Sequence, residues 1–361
     1  MNILVIQNTV NEIISSGCFK YRVLYPMKEL ERRGHKVSYI DCSYYKKYKE
    51  IIDKFDVIFF SRAYRESIKR FLTLAKKKGK KIVYELDDNF WEVDKSNPAY
   101  NGAKNLMKFA ETCMKEADMV TTTTEKLAIK LREYNDNVVV LPNAVDLEKF
   151  KSLDYPRVIP VVLYSGSATH WVDLEEIITT LYQIQQEIPF KLILQGFTKE
   201  PLDAAANIYS HQQKFLSNIK KYDYQKHAIN CMKTIFKMDF FHIPFYPPLM
   251  HEQILNNISA DIGLAPITDL KFNEYKSAIK YYEYAAGNTV TLAPDKLPYK
   301  GEIDYTYTDL KDFEYRFKKL LTDKKFRKEI LLKQKKFVVK NRDMKKVGED
   351  WNDAFENLLN K

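Results

Sequence analysis

Long apolar runs are missing from this chain: no stretch of its 361 residues approaches the ~20 needed to cross a bilayer. Cysteine is scarce too. Cys18, Cys42, Cys113 and Cys231 lack paired spacing, which excludes a disulfide framework and a zinc site of the usual spacing. Glycine numbers only 10, and no G-x-G-x-x-G follows any strand-like run, nor is there a P-loop. That argues against a dinucleotide cofactor and against P-loop nucleotide hydrolysis. The opening MNILVIQN carries no basic region ahead of its apolar residues, so it reads as a strand and not as a signal peptide. A reducing cytoplasmic setting is the expectation.

Basic residues are plentiful, with a formal charge of +10, yet only 11 of the 58 are Arg. The densest runs, Lys76 to Lys81 and Lys333 to Lys346, lie on or beside helical patterns. They read as solvated helix faces, or as a basic surface for nucleic acid, anionic lipid or an acidic glycan. Peripheral membrane contact belongs to the same set of expectations.

Strand-like and helical runs alternate along the chain. ILVIQN, KVSYID, VIFFSR, KIVYELDD, MVTTTT and VVVLPNAVD come first; VVLYSGS, KLILQGF, MDFFHIPF, DIGLAPI, NTVTLAP and DYTYT follow a Pro-flanked break at 154–160. Repeated strand, helix, strand units make parallel sheets covered on both faces. The fold class expected is α/β, with two doubly wound, Rossmann-like domains facing a cleft. The expected boundaries are 1–155 and 156–342, with a C-terminal helix at 343–361 packing back on the first domain through Trp351. A helical elaboration at about 200–237 exceeds what the fold requires.

In open parallel sheets the ligand crevice lies beyond the carboxyl ends of the strands, and five stretches fall there. Asn273 to Gly287 (NEYKSAIKYYEYAAG) has Ala278, Ile279, Tyr282 and Ala286 at helical spacing, with Gly287 at the C-cap. Lys276 and Ser277 fall at the helix start, where a phosphate is favoured. Ser165, Gly166, Ser167 and His170 end another strand; backbone N–H groups with Ser167 and His170 can hold phosphate, Lys276 or Lys280 adding charge. Gly196 leaves room for a nucleobase. In the first half, Ser15, Ser16 and Gly17 open the first helix, either as a phosphate approach or as a plain turn. Asp87 and Asp88, in YELDDNFW, can bind a divalent ion, orient an acceptor hydroxyl or stabilise positive charge at an anomeric carbon. Ordinary structural alternatives exist for each: a surface acid for Glu283, a packed imidazole for His170, an N-cap and turn acid for Asp87 and Asp88.

These motifs resemble the retaining, group 1 glycosyltransferases of GT-B fold, in the subset reading N-x-x-K-S-x-x-K-x-x-E-Y-A-A-x-G and G-S-x-x-H-x-x-D. Asn273, Lys276, Ser277, Lys280, Glu283, Tyr284 and Gly287 match the first motif; Gly166, Ser167, His170 and Asp173 match the second. Tyr21, Arg22, Pro26 and the L-D-D-x-x-W segment ending at Trp91 add to the likeness, and LPNAVDLEKF resembles the segment near the interdomain hinge. The wider family carries two glutamates eight positions apart. Glu283 is the second, implied to hold the donor ribose; Tyr275 stands where the first belongs, and the Arg/Lys phosphate clamp is missing. The resemblance implies a nucleotide sugar as co-substrate with no cofactor and no metal. Asp87, Asp88, His170 and Lys276 are then the catalytic candidates. Gly17, Ser165, Gly166, Ser167, Gly196, Asn273, Ser277, Lys280 and Glu283 belong to the donor, and Arg22 and Trp91 to the acceptor side. A glycan, a protein or DNA with a hydroxymethylated base is the acceptor. The alternative is a GT-B subunit that binds without catalysing.

Overall fold

A computed structural model describes residues 1–8, 16–63, 65–95, 97, 100–151, 157–196 and 223–360. Most of the 200–237 elaboration lies outside the described residues; its end forms the helix Asp223–Ile235. Ser15 also lies outside them.

Among the described residues, twelve strands form two six-stranded sheets. The first contains β1 (Asn2–Gln7), β2 (Lys36–Asp41), β3 (Val57–Ser61), β4 (Lys81–Glu85), β5 (Met119–Thr122) and β6 (Val138–Val140), in the order β2-β1-β3-β4-β5-β6. The second contains β7 (Val161–Ser165), β8 (Lys191–Gln195), β9 (Phe240–Ile243), β10 (Ile262–Leu264), β11 (Val290–Pro294) and β12 (Thr306–Tyr307), in the order β12-β11-β10-β7-β8-β9. Every pairing is parallel. Their interior strands read as apolar runs because helices cover both faces. The chain reverses direction across the sheet between β1 and β3 and again between β7 and β10. At such reversals the flanking loops part and leave a crevice.

The last helix, Met344–Asn360, returns to the first sheet. Trp351 is fully buried, 6.3 Å from Phe59, and Phe355 stacks on the same ring. One local expectation needs correction. The segment Lys271–Tyr275 is a 3₁₀ turn, so the α-helix begins only at Ile279, leaving Lys276, itself extended, and Ser277 ahead of it. Gly287 does cap that helix, but at φ −80; the left-handed residue is Asn288 at φ 59.

Truncating Trp351 to Ala removes the centre of the returning helix's contact. Urea unfolding is expected to register a loss of about 3–5 kcal/mol; a change below 1 kcal/mol would mean that this helix adds little to the first domain.

Candidate functional site

Both crevices open into one cavity of about 580 Å³ between the sheets, lined by loops from each. Its size suits a ligand larger than a simple sugar.

On the second sheet the β7 loop turns sharply at Ser165–Gly166. Its amides are already engaged: Ser165 N–H donates to the Tyr284 hydroxyl (2.9 Å) and Gly166 N–H to the Gln195 carbonyl (2.9 Å). These two N–H groups are therefore not the phosphate donors expected from sequence, although Ser165, Gly166 and Ser167 all line the cavity. Gly196 sits at φ +89, and a Cβ there would fall 2.7 Å from the Gly166 carbonyl oxygen, so only glycine lets the β7 and β8 loops meet. Gly263 is constrained by packing, since a Cβ would penetrate the Tyr284 ring at 2.3 Å. Tyr284 can brace the β7 loop only because that space is empty.

His170 ends the turn after β7. Its Nδ1 lies 2.7 Å from Asp173 Oδ2, and Asp173 Oδ1 accepts from the Thr268 amide and hydroxyl, each at 2.8 Å. Asn273 in turn donates to the Thr268 carbonyl (3.1 Å) and to its hydroxyl oxygen (3.0 Å). This chain of bonds spans the β7 and β10 loops. Asn273 is buried and does not line the cavity, so its place is behind the site and not against a ligand. Burial and the neighbouring Lys280 hold His170 down to about 4 despite Asp173. Burial would raise Asp173, but the His170 bond and Lys280 outweigh it and keep the carboxylate ionised. A neutral imidazole beside that carboxylate carries its proton on Nδ1 and leaves Nε2 as an acceptor. Such a nitrogen suits a hydroxyl donor and not a phosphate oxygen.

Lys276, over the Phe272 ring at 4.7 Å, and Lys280, over Tyr164 at 5.0 Å, supply the positive charge. Burial holds Lys280 down to about 8, and Lys276 adds to this. Glu283, one helical turn past Lys280, is buried. It accepts from the Tyr21 hydroxyl and lies 3.0 Å from His251 Nε2. Burial pushes Glu283 up, but His251, Lys20 and Tyr21 overcome it and favour the ionised form. It is not the surface acid of the structural alternative. Ser277 accepts from Asn143 Nδ2 at 2.6 Å, tying the loop ahead of the Ile279–Ala286 helix to the first domain.

Across the cavity, Arg62 follows β3 at φ 46, a left-handed position that few non-glycine residues adopt. Its Nε faces Asp87, its second amino group Asp88 at 2.8 Å, and Phe90 lies beneath it at 4.8 Å. Neither aspartate caps a helix: the following short turn has Asn89 at its N-cap. Burial would raise both carboxyls. Arg62 reverses this for Asp87, whereas the adjacent Asp87 charge helps keep Asp88 raised. Cys18, next to Gly17, has its sulfur within 4.8 Å of both carboxylates, and burial pushes its thiol up. Arg62, Cys18, Tyr21, His251 and Tyr246 were not singled out from sequence as site residues. Arg62 carried a readable signal, being the first residue past a strand's carboxyl end.

Two acceptor-side expectations are corrected. Arg22 is buried below the cleft, bidentate to Glu85 (2.7 and 3.0 Å) and bonded to the Leu141 and Thr122 carbonyls. Its side chain is consumed by the first sheet. Trp91 points away, donating to Glu111 (2.9 Å) and stacking on Tyr134 at 5.3 Å. Neither lines the cavity.

No known family model matches this chain, and no curated protein matches it in sequence. Solved structures match it in fold. An alpha-glucosyltransferase in complex with UDP-glucose and DNA containing an abasic site aligns over 100% of both chains at 13% identity and TM-score 0.64. TarM, solved from S. aureus, aligns at 12% identity and TM-score 0.60 over 89% of this chain but 58% of its own. The DNA modifying enzyme beta-glucosyltransferase aligns over 100% of both chains at 15% identity and TM-score 0.59. With two parallel Rossmann-like sheets facing a shared cleft, the fold is GT-B.

The Lys280 environment generates a pH prediction. Its folded pKa lies below the usual 10.5, so the ammonium's cost to the stability of the free protein is full below about pH 8 and fades between about 8 and 10.5. A bound diphosphate favours the ammonium, so the binding trend runs the other way. Affinity for UDP-glucose by calorimetry is expected to fall between pH 7 and 9, approaching about tenfold at pH 9, and Lys280→Arg should flatten the profile. A flat wild-type profile would remove Lys280 from phosphate binding.

Proposed function

We propose that this protein is a glycosyltransferase that moves a sugar from a nucleotide-sugar donor to an acceptor hydroxyl with retention of anomeric configuration. The observation that carries this reading is the meeting of Glu283, Lys276, Lys280 and His170 at the strand-order reversal of the second sheet, with Asp87 and Asp88 facing them across one cavity. Glu283, ionised and fixed by Tyr21 and His251, takes the ribose hydroxyls. Lys276 and Lys280 hold the diphosphate and stabilise the charge that grows on it as the glycosidic bond breaks. Neutral His170 accepts a hydrogen bond from a sugar hydroxyl through Nε2. The acceptor hydroxyl approaches from the Asp88 side, on the face of the departing diphosphate, whose oxygen takes the hydroxyl proton. Attack on that face retains configuration. The two lysines supply the leaving-group charge, which makes the reaction metal-independent in this reading.

A second reading concerns the acceptor. Several structures similar in fold were solved with DNA, one holding an abasic site, another an HMU base. A hydroxymethylated base in DNA is the acceptor that this observation favours.

A thermal-shift screen with UDP, GDP, CMP and ADP sugars tests the donor half. At ~100 times its dissociation constant a specific donor adds about 2.7 kcal/mol of apparent stability. The shift should appear for one nucleotide and be lost in Glu283→Ala and Lys276→Ala. Mass spectrometry of hydroxymethylated DNA after incubation with that donor then reads transfer as the mass of one sugar. No shift with any donor would leave a binding protein without catalysis as the better reading.

A further inference from the structure

Positive charge is distributed very unevenly along the chain. Residues 36–81 contain 14 Lys and Arg against 5 Asp and Glu, a surplus of nine, whereas the remaining residues hold 44 against 43. Nearly the whole net charge therefore belongs to one side of the first domain. There the short helix Tyr45–Tyr48 packs on the helix Glu66–Lys77, with Tyr45 edge-on to Phe71 at 4.8 Å. Lys69, Arg70, Thr73 and Lys77 line an open groove of about 360 Å³ beside Tyr45 and Glu66. Lys46, Lys47 and Lys49 are exposed on the neighbouring segment. Among the described residues these six cations form no ion pair, whereas Lys76 and Lys78 are paired with Glu116 and Asp53.

We propose that this groove binds the phosphodiester backbone of duplex DNA and leads it to the cleft, an inference that rests on DNA as the acceptor. The groove's position fits. Glu66–Lys77 begins just past Arg62, the residue that holds Asp87 and Asp88, so its first turn lies on the cleft edge of the sheet. Its length fits as well: 12 residues extend about 18 Å, opposite roughly ten phosphates of a duplex carrying one charge per ~1.7 Å. A membrane surface fits less well, because apolar anchors are scarce among the described residues here. Exposed Phe241, Phe245, Leu249 and Met250 all belong to the second domain; among the described residues only Tyr44 is comparable near the groove.

Fluorescence anisotropy with a labelled 20-base-pair duplex tests the proposal. Six phosphate contacts predict an affinity loss of about 10³-fold between 50 and 200 mM salt. The combined Lys69→Ala, Arg70→Ala, Lys77→Ala variant should lower the slope of log affinity against log salt by about 2.7. Lys325→Ala, Lys328→Ala, Lys336→Ala, which removes equal charge from the exposed face of the helix Lys324–Asn341, should leave the slope unchanged. Equal losses in both variants would reduce the effect to net charge and overturn the groove. Wild type that ignores the duplex, or that binds only vesicles containing phosphatidylserine, would overturn it too. Donor thermal shifts on the same samples separate the failures: an intact shift without DNA binding rejects the groove alone, and loss of both rejects the glycosyltransferase reading.

Discussion

Buried charge at the seam between the two domains constrains everything else in this structure. Lys20 and Glu252, each almost without solvent contact, pair across it, and the Tyr25 hydroxyl donates to the same carboxylate. One residue on, Tyr21 donates to Glu283. Desolvating such groups costs several kcal/mol per ion, and an orphaned partner costs more than the pair contributes. The seam therefore selects one relative placement of the domains even if it adds little stability. Its geometry depends on a local irregularity: Lys20–Leu24 is a π-helical turn in which the Tyr25 N–H donates back to the Lys20 carbonyl. The wider turn lets Lys20 and Tyr21 face the second domain while Arg22 is driven into the first. Turns of this kind are frequent at functional positions.

That seam makes the two walls of the cavity parts of one object. Glu283 touches Tyr21, Ser277 touches Asn143, and Asn143 also accepts from Arg22 at 3.2 Å, which is locked to Glu85. A continuous path of polar contacts thus runs from the core of the first sheet to the helix bearing Lys280 and Glu283. Arg22 is essential to this arrangement without reaching the cavity, and Asn273 plays the same part behind His170 through Thr268 and Asp173. Residues in a motif divide between those that line the cavity and those that hold the former in place.

That division explains what was legible in the sequence. Strand and helix alternation is local, so both sheets and the crevice loops could be read directly, as could the cavity-facing placement of Asp87, Asp88, Ser167, His170, Lys276, Lys280 and Glu283. Side-chain direction is not local. Arg22 and Trp91 lie in segments that reach the site, yet their side chains leave it for Glu85 and Tyr134, more than forty residues away in sequence. Tyr21 and Glu283 are partners across 262 positions, a pairing that no periodicity encodes. The phosphate role expected of the Ser165 and Gly166 amides failed for a similar reason: Tyr284 and Gln195 claim them from distant elements.

The electrostatics of the cleft complete the separation of tasks. Burial acts on every ionisable group here in the same sense, against charge, so the charges that persist are those with a partner. Asp173 has His170, Asp87 has Arg62, and Glu283 has His251 with Lys20 nearby. Lys280 has no carboxylate within salt-bridge distance among the described residues, and burial weakens its hold on a proton. Asp88 is the corresponding group across the cavity, kept raised by burial and by Asp87 although Arg62 faces it. A diphosphate beside Lys280 would restore the missing counter-charge. Lys280 and Asp88 thus stand on opposite walls of one cavity, each shifted by burial toward its neutral form.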